Sequence, residues 1–106
     1  MLVVKQVEAA DHNELAYECF NNGQKVGRLV ARSTSDGLLE ASLEEITQRE
    51  AGRTLVAKLE RDAQVHGLPG LYVLARDEKE RDTFIPTGYN PVEESSLKLF
   101  KRFGPA

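Results

Sequence analysis

The stretch from residue 51 to residue 75 changes period, and that change constrains the fold more than any other feature. From Ala51 to His66 the apolar positions Leu55, Val56, Leu59 and Ala63 recur at helical spacing, with Lys58 and Asp62 as an i,i+4 ion pair on the wet face. Gly67 stands where a glycine ends a helix, and Pro69 prevents its restart. Leu71-Tyr72-Val73-Leu74-Ala75 then runs without a polar break, which predicts a strand buried on both faces. A helix joined to such a strand by so short a turn must cross a sheet.

The rest of the chain supplies that sheet. Val3 to Val7 reads as a strand, and residues 14–33 read as a β-hairpin turning on Asn22-Gly23. Leu38 to Glu50 is ambiguous. Leu39, Leu43 and Ile46 make a helical stripe, whereas Leu39, Ala41 and Leu43 alternate with Glu40, Ser42 and Glu44 as in a strand. Asp77 to Asp82 is expected to be a short helical turn, Pro86, Gly88 and Pro91 mark a loop, and Ser95 to Phe103 is expected to be the last strand, its apolar content hinting at a partner edge. The expected class is α+β: one mixed sheet with a long central helix and a short second helix.

Composition excludes several functions. The 106 residues fit one domain, 1–106, and 41% apolar residues give it a core. A net charge of −3 with no Lys/Arg block argues against a nucleic-acid partner. One cysteine and two distant histidines leave neither a disulfide framework nor a zinc set. Cys19 reads as a small buried residue, His12 as a turn residue and His66 as a helix C-terminal residue. There is no apolar run long enough for a membrane span and no leader-like start, so no membrane partner and a cytoplasmic location are expected.

Glu50-Ala51-Gly52-Arg53-Thr54-Leu55-Val56-Ala57-Lys58-Leu59-Glu60-Arg61-Asp62-Ala63 with His66-Gly67-Leu68 resembles the central helix of GNAT-type N-acyltransferases. Thr83-Phe84-Ile85-Pro86-Thr87-Gly88-Tyr89 resembles the family's later aromatic-glycine motif. With this resemblance Leu38 to Glu50 is taken as the strand before the helix. The resemblance implies transfer of an acyl group, most simply acetyl, from acetyl-CoA to an amine on a small molecule or a protein. It also implies that the helix start holds the CoA pyrophosphate, since helix N-termini bind phosphate and glycine lets it approach.

The family pattern Arg/Gln-x-x-Gly-x-Gly/Ala fits in two registers. One is Arg49-Glu50-Ala51-Gly52-Arg53-Thr54. The other, anchored on Leu55 and Val56, is Thr47-Gln48-Arg49-Glu50-Ala51-Gly52. The candidate cofactor-binding residues are therefore Arg49, Glu50, Ala51, Gly52, Arg53 and Thr54. In the anchored register Glu50 takes the first glycine position, where a carboxylate crowds and repels phosphate. Many members carry a tyrosine as general acid where this chain has Phe84, which has no proton to give, so no catalytic residue is assigned. Tyr72 and Tyr89 are expected in the core, and Glu40, Glu44 and Glu45 are open both as bases and as solvated charges. The family's two helices after the first strand are reduced here to Ala9–Glu14. The competing reading is a GNAT-like module without catalysis that binds or regulates. A third is a small interaction domain without ligand.

Overall fold

The computed structural model describes residues 1–104. Strands β1 (Leu2–Val7), β2 (Glu14–Asn21), β3 (Gln24–Ser33) and β4 (Leu39–Glu44) form an antiparallel meander. Helix α1 (Arg49–Val65) then crosses the sheet to β5 (Gly70–Leu74), which lies parallel to β4. Helix α2 (Glu78–Phe84) and a 3₁₀ turn (Ile85–Thr87) lead to the two-residue β6 (Asn90–Pro91) and to β7 (Lys98–Arg102). The seven-stranded sheet has the order β1-β2-β3-β4-β5-β7-β6, with β4/β5 as its parallel pair.

The ambiguous segment is a strand because both its flanks are occupied. Leu43 sits opposite Leu29, and Ala41 lies between Ala31 and Val73. The alternation then buries Ala41 and Leu43 on one face. Asn22 and Gly23 make the hairpin turn with positive φ at both positions. Gly67 ends α1 with φ of 78°.

One face of the sheet carries the main apolar cluster. Tyr17, Cys19, Leu29, Ala41, Leu43, Leu71, Val73 and Leu99 project from it and pack under Ala51, Leu55, Val56, Leu59 and Phe84 of the helices. Gly27 is what lets α1 come down, since a Cβ there would lie 2.8 Å from Ile46 and 3.2 Å from Ala51. The opposite face is laced with cross-strand ion pairs: Glu18 with Arg28 and Lys25, Glu44 with Arg28, Glu14 with Arg32, and Glu40 with Lys98.

That asymmetry corrects two expectations. β5 is buried on one face only: Leu71 and Val73 are covered, but Tyr72 is half-buried and Leu74 is 38% exposed. Both helices lie on the other side, so an apolar run here meets solvent at alternate residues. Tyr72 is thus no core residue; it stacks on Phe100 at 5.0 Å and donates to Asp36 at 2.8 Å. The last strand is no free edge either, because β6 pairs on its outer side.

Gly70 has the least room in the molecule. A Cβ there would lie 2.5 Å from the Phe100 ring and 2.7 Å from the Lys101 carbonyl of β7. The ring can swing, but the carbonyl is part of the sheet. Gly70→Ala is expected to cost about 1–3 kcal/mol by overpacking, read as a lower midpoint in urea unfolding.

Candidate functional site

β4 and β5 stay paired only from Glu40↔Tyr72 to Ser42↔Leu74. Beyond that point β4 continues through Leu43 and Glu44 against β3, while Ala75 turns away, its N–H donating to Leu97. The two strands therefore fork. Of Leu43 and Glu44, one must direct its backbone groups into the gap, because successive residues alternate.

A cleft of about 300 Å³ opens at the fork on the helix-covered face. Its floor is Leu43, Ile46, Gly52 and Phe84; its two walls are the start of α1 and the start of α2. The α1 start has no side-chain cap: Gln48 precedes it in an extended conformation, and its amide oxygen is occupied by the Asn21 amide at 3.0 Å. The Ala51 N–H turns back to the Gln48 carbonyl at 3.0 Å, which leaves the Arg49 and Glu50 N–H groups to whatever enters the cleft. Gly52 keeps this wall low, since a Cβ there would press on Leu43 at 3.1 Å.

The six candidate residues part company here. Arg49, Gly52 and Arg53 line the cleft. Ala51 is buried against the sheet, and its methyl would meet any side chain at Gly27. Thr54 donates its hydroxyl back to the Glu50 carbonyl at 2.8 Å and lines a neighbouring groove of about 360 Å³ with Arg53, Val56 and Glu60. Glu50 is exposed in the first turn, on the outer side of the helix.

The facing wall escaped the sequence reading. Arg76, Asp77, Lys79, Glu80 and Thr83 line the cleft from α2. Asp77 caps that helix, accepting from Glu80 N–H at 2.8 Å. Glu80 in turn holds Arg76 by three hydrogen bonds of 2.7–3.0 Å, one to its backbone. The short helical turn expected from Asp77 is found as α2, and its Asp-x-x-Glu start is a capping-box spacing. Among the described residues, Arg49, Arg53 and Lys79 carry no ion pair, and all three face this cleft.

Phe84 is buried at the cleft floor and meets Tyr89 edge-on at 5.8 Å. Tyr89 is in the core as expected, donating to Glu60 at 2.7 Å, with Lys101 on the other Glu60 oxygen at 3.1 Å. Burial, and then the Glu60 carboxylate, push the Tyr89 hydroxyl far above its ordinary range. Its hydroxyl proton is directed at Glu60. Tyr17 is the same case, with Asp62 as its acceptor at 2.7 Å. Burial also raises the Cys19 thiol, and the residue is buried in the core as expected. Glu40, Glu44 and Glu45 each hold a cation at the surface: Lys98, Arg28 and Lys25.

No family model and no curated protein matches the sequence. Solved structures do match. An IAA acetyltransferase from Bacillus cereus superposes with a TM-score of 0.76 at 12% identity, over 97% of this chain and 100% of that one. A chain of the KacTA–DNA complex gives 0.70 at 16%, over 96% and 93%. The PaiA N-acetyltransferase from Thermoplasma acidophilum, in complex with coenzyme A, gives 0.63 at 15%, over 86% and 62%. The chain has the GNAT-type acetyltransferase fold. No helix among the described residues is long and apolar enough to cross a membrane.

Proposed function

We propose that this chain is a cytoplasmic acyl-CoA-dependent N-acyltransferase, moving an acetyl group from acetyl-CoA to an amine. The observation that carries it is a coincidence in one cleft. The fork between β4 and β5, the uncapped start of α1 and three unpaired cations all open on it. Arg49 and Arg53 are one turn apart on α1, and Lys79 faces them from α2. Together with the first-turn N–H groups they fit a pyrophosphate. Acetyl-CoA, when bound, supplies a thioester carbonyl. The backbone N–H that β4 directs into the gap would polarise that carbonyl. One fold neighbour comes from a complex with DNA, and a nucleic-acid or protein partner is compatible with this fold.

The anchored register suits this geometry better. It puts Glu50 in the first turn, among the N–H groups that are open. The alternative puts its first glycine at Gly52, where the helical ladder already takes up the N–H. Glu50 then sets a negative charge near the phosphates. At about 7 Å in water one such charge is worth roughly 0.6 kcal/mol. Glu50→Gly is expected to tighten CoA binding about twofold to threefold, and Glu50→Gln to do nearly as well, because the charge and not the backbone carries the effect. Calorimetric titration checks both; weaker binding by Glu50→Gln would exclude this register.

Phe84 favours a second reading, a binding module without catalysis, since no tyrosine is among the described residues that line the cleft. A thiolate leaves near its ordinary pKa of about 8.5 without an acid, so Phe84 slows transfer rather than forbidding it. Titration with CoA followed by thiol release from acetyl-CoA separates the readings. Heat with release supports the enzyme, heat without release supports a CoA-binding module, and no heat at millimolar CoA rules out the enzyme and leaves only the module readings that do not use CoA.

A further inference from the structure

The two residues in front of α1 are held by a hairpin far from them in sequence. Thr47 donates its N–H to the Val26 carbonyl of β3 at 2.9 Å, and its hydroxyl reaches the same oxygen at 3.3 Å. Gln48 accepts through Oε1 from Nδ2 of Asn21, 27 residues away at the end of β2, at 3.0 Å. The turn that opens α1 is therefore set by the β2–β3 hairpin.

The orientation of that amide pair follows from a third group. Asn21 Oδ1 accepts from the Met1 nitrogen at 3.1 Å. That nitrogen can only donate, so the Asn21 oxygen must face it and the Asn21 NH₂ must face Gln48. Turning both amides over would set two donors against each other at Met1. The Gln48 oxygen is thus engaged by Asn21, and the end left free is its NH₂, with two donors and no acceptor. Among the described residues this NH₂ donates to no protein group, and Gln48 lines the cleft.

Without Asn21 the same side chain would have another use. A polar residue at a helix cap turns its oxygen onto the first-turn N–H groups and satisfies them. Here that oxygen is held elsewhere, and α1 begins with no side-chain cap. One hydrogen bond from β2 therefore does two things. It keeps an acceptor away from the open N–H groups of Arg49 and Glu50, and it adds a donor to the same wall.

We infer that Gln48 binds the pyrophosphate of CoA through this NH₂, and that Asn21, which does not line the cleft, is the positioning residue that presents the donor end. This inference rests on the CoA reading above. An ionised pyrophosphate offers acceptors only, so a carboxamide presented oxygen first would oppose it, and the Asn21 hydrogen bond selects the other end.

The test is a cycle of substitutions read by calorimetry with CoA and with inorganic pyrophosphate. Gln48→Met keeps the length of the side chain and removes the donor. It is expected to weaken both ligands about tenfold, the scale of one hydrogen bond to a charged group. Asn21→Asp cannot donate, so Gln48 must turn its NH₂ to the new carboxylate and its oxygen to the cleft; this too is expected to cost about tenfold. In the Gln48→Met background the same change is expected to cost less than about twofold, because its effect passes through the Gln48 amide. Two residues that merely held the helix would instead lower stability along with affinity, and their effects would add. On the unsubstituted chain the Gln48 side-chain N–H signals are expected to shift as pyrophosphate is added, a readout independent of how the variants fold. CoA affinity that changes less than twofold in Gln48→Met, an equal Asn21→Asp loss in both backgrounds, or Gln48 signals that stay still would overturn the inference and leave the CoA reading in place. No binding of either ligand by the unsubstituted chain would remove both.

Discussion

Replacing Arg49 and Arg53 together by Glu is expected to weaken CoA binding by about 10²- to 10⁴-fold. Hydrogen bonds to charged groups contribute about 1.5–3 kcal/mol each, and each 1.4 kcal/mol is tenfold in affinity. Both arginines line the cleft and neither has another partner among the described residues, so their loss removes contacts with the ligand rather than with the protein. The variant should fold normally, because both positions are exposed. Arg61→Glu is the control. Arg61 is also exposed and on α1, but lies two turns further along and away from the cleft. It changes net charge without touching the site and should move the affinity less than twofold. Calorimetry at two salt concentrations checks the origin of the effect, since wild-type binding should weaken with salt more steeply than that of the double variant. A change below threefold in the double variant would mean that the phosphates sit elsewhere.

Leu59→Ala is expected to cost about 2–5 kcal/mol of stability. Leu59 is 1% exposed, in the middle of the α1 stripe, and packs into the cluster that joins both helices to the sheet. Truncation leaves a cavity that a helix pinned at both ends cannot collapse. In a domain of this length that loss corresponds to a fall of about 10 °C or more in Tm. Val65→Ala, at a position 76% exposed on the same helix, is the surface comparison and should stay within about 0.5 kcal/mol. A loss below about 0.5 kcal/mol at Leu59 would mean that the stripe does not face the sheet.

Much of this architecture is legible in short-range patterns, because short-range physics produces it. The apolar stripe of α1 must be buried, Gly67 adopts a conformation other residues resist, and Asn22-Gly23 matches the twist of the strands it joins. Helix α1 is expected over 51–66 and found over Arg49–Val65; the earlier start follows from the extended Gln48, which no periodicity marks. The cleft was legible by half. The α1 wall was readable because a glycine, two arginines and a helix start are adjacent in sequence. The α2 wall was not, since Arg76 and Lys79 look like any solvated charges until the sheet sets them opposite Arg53.

By itself the amino-acid sequence determined the hairpin, the long crossing helix and the cationic character of that helix's start, since each depends on neighbours within a few residues, whereas β6 (Asn90–Pro91) lies in a stretch that its prolines and glycine mark as loop. Tertiary structure decided the rest. Leu39 to Glu44 could satisfy a helical or a strand period, and the edges of β3 and β5 selected the strand. Leu71 to Ala75 is apolar throughout, and only the placement of both helices on one face left Leu74 in solvent. Six of the 14 basic residues carry no ion pair among the described residues, and three of these, Arg49, Arg53 and Lys79, stand around one cleft. Which charges are matched and which remain is a property of distances between strands and helices, and a linear chain does not contain them.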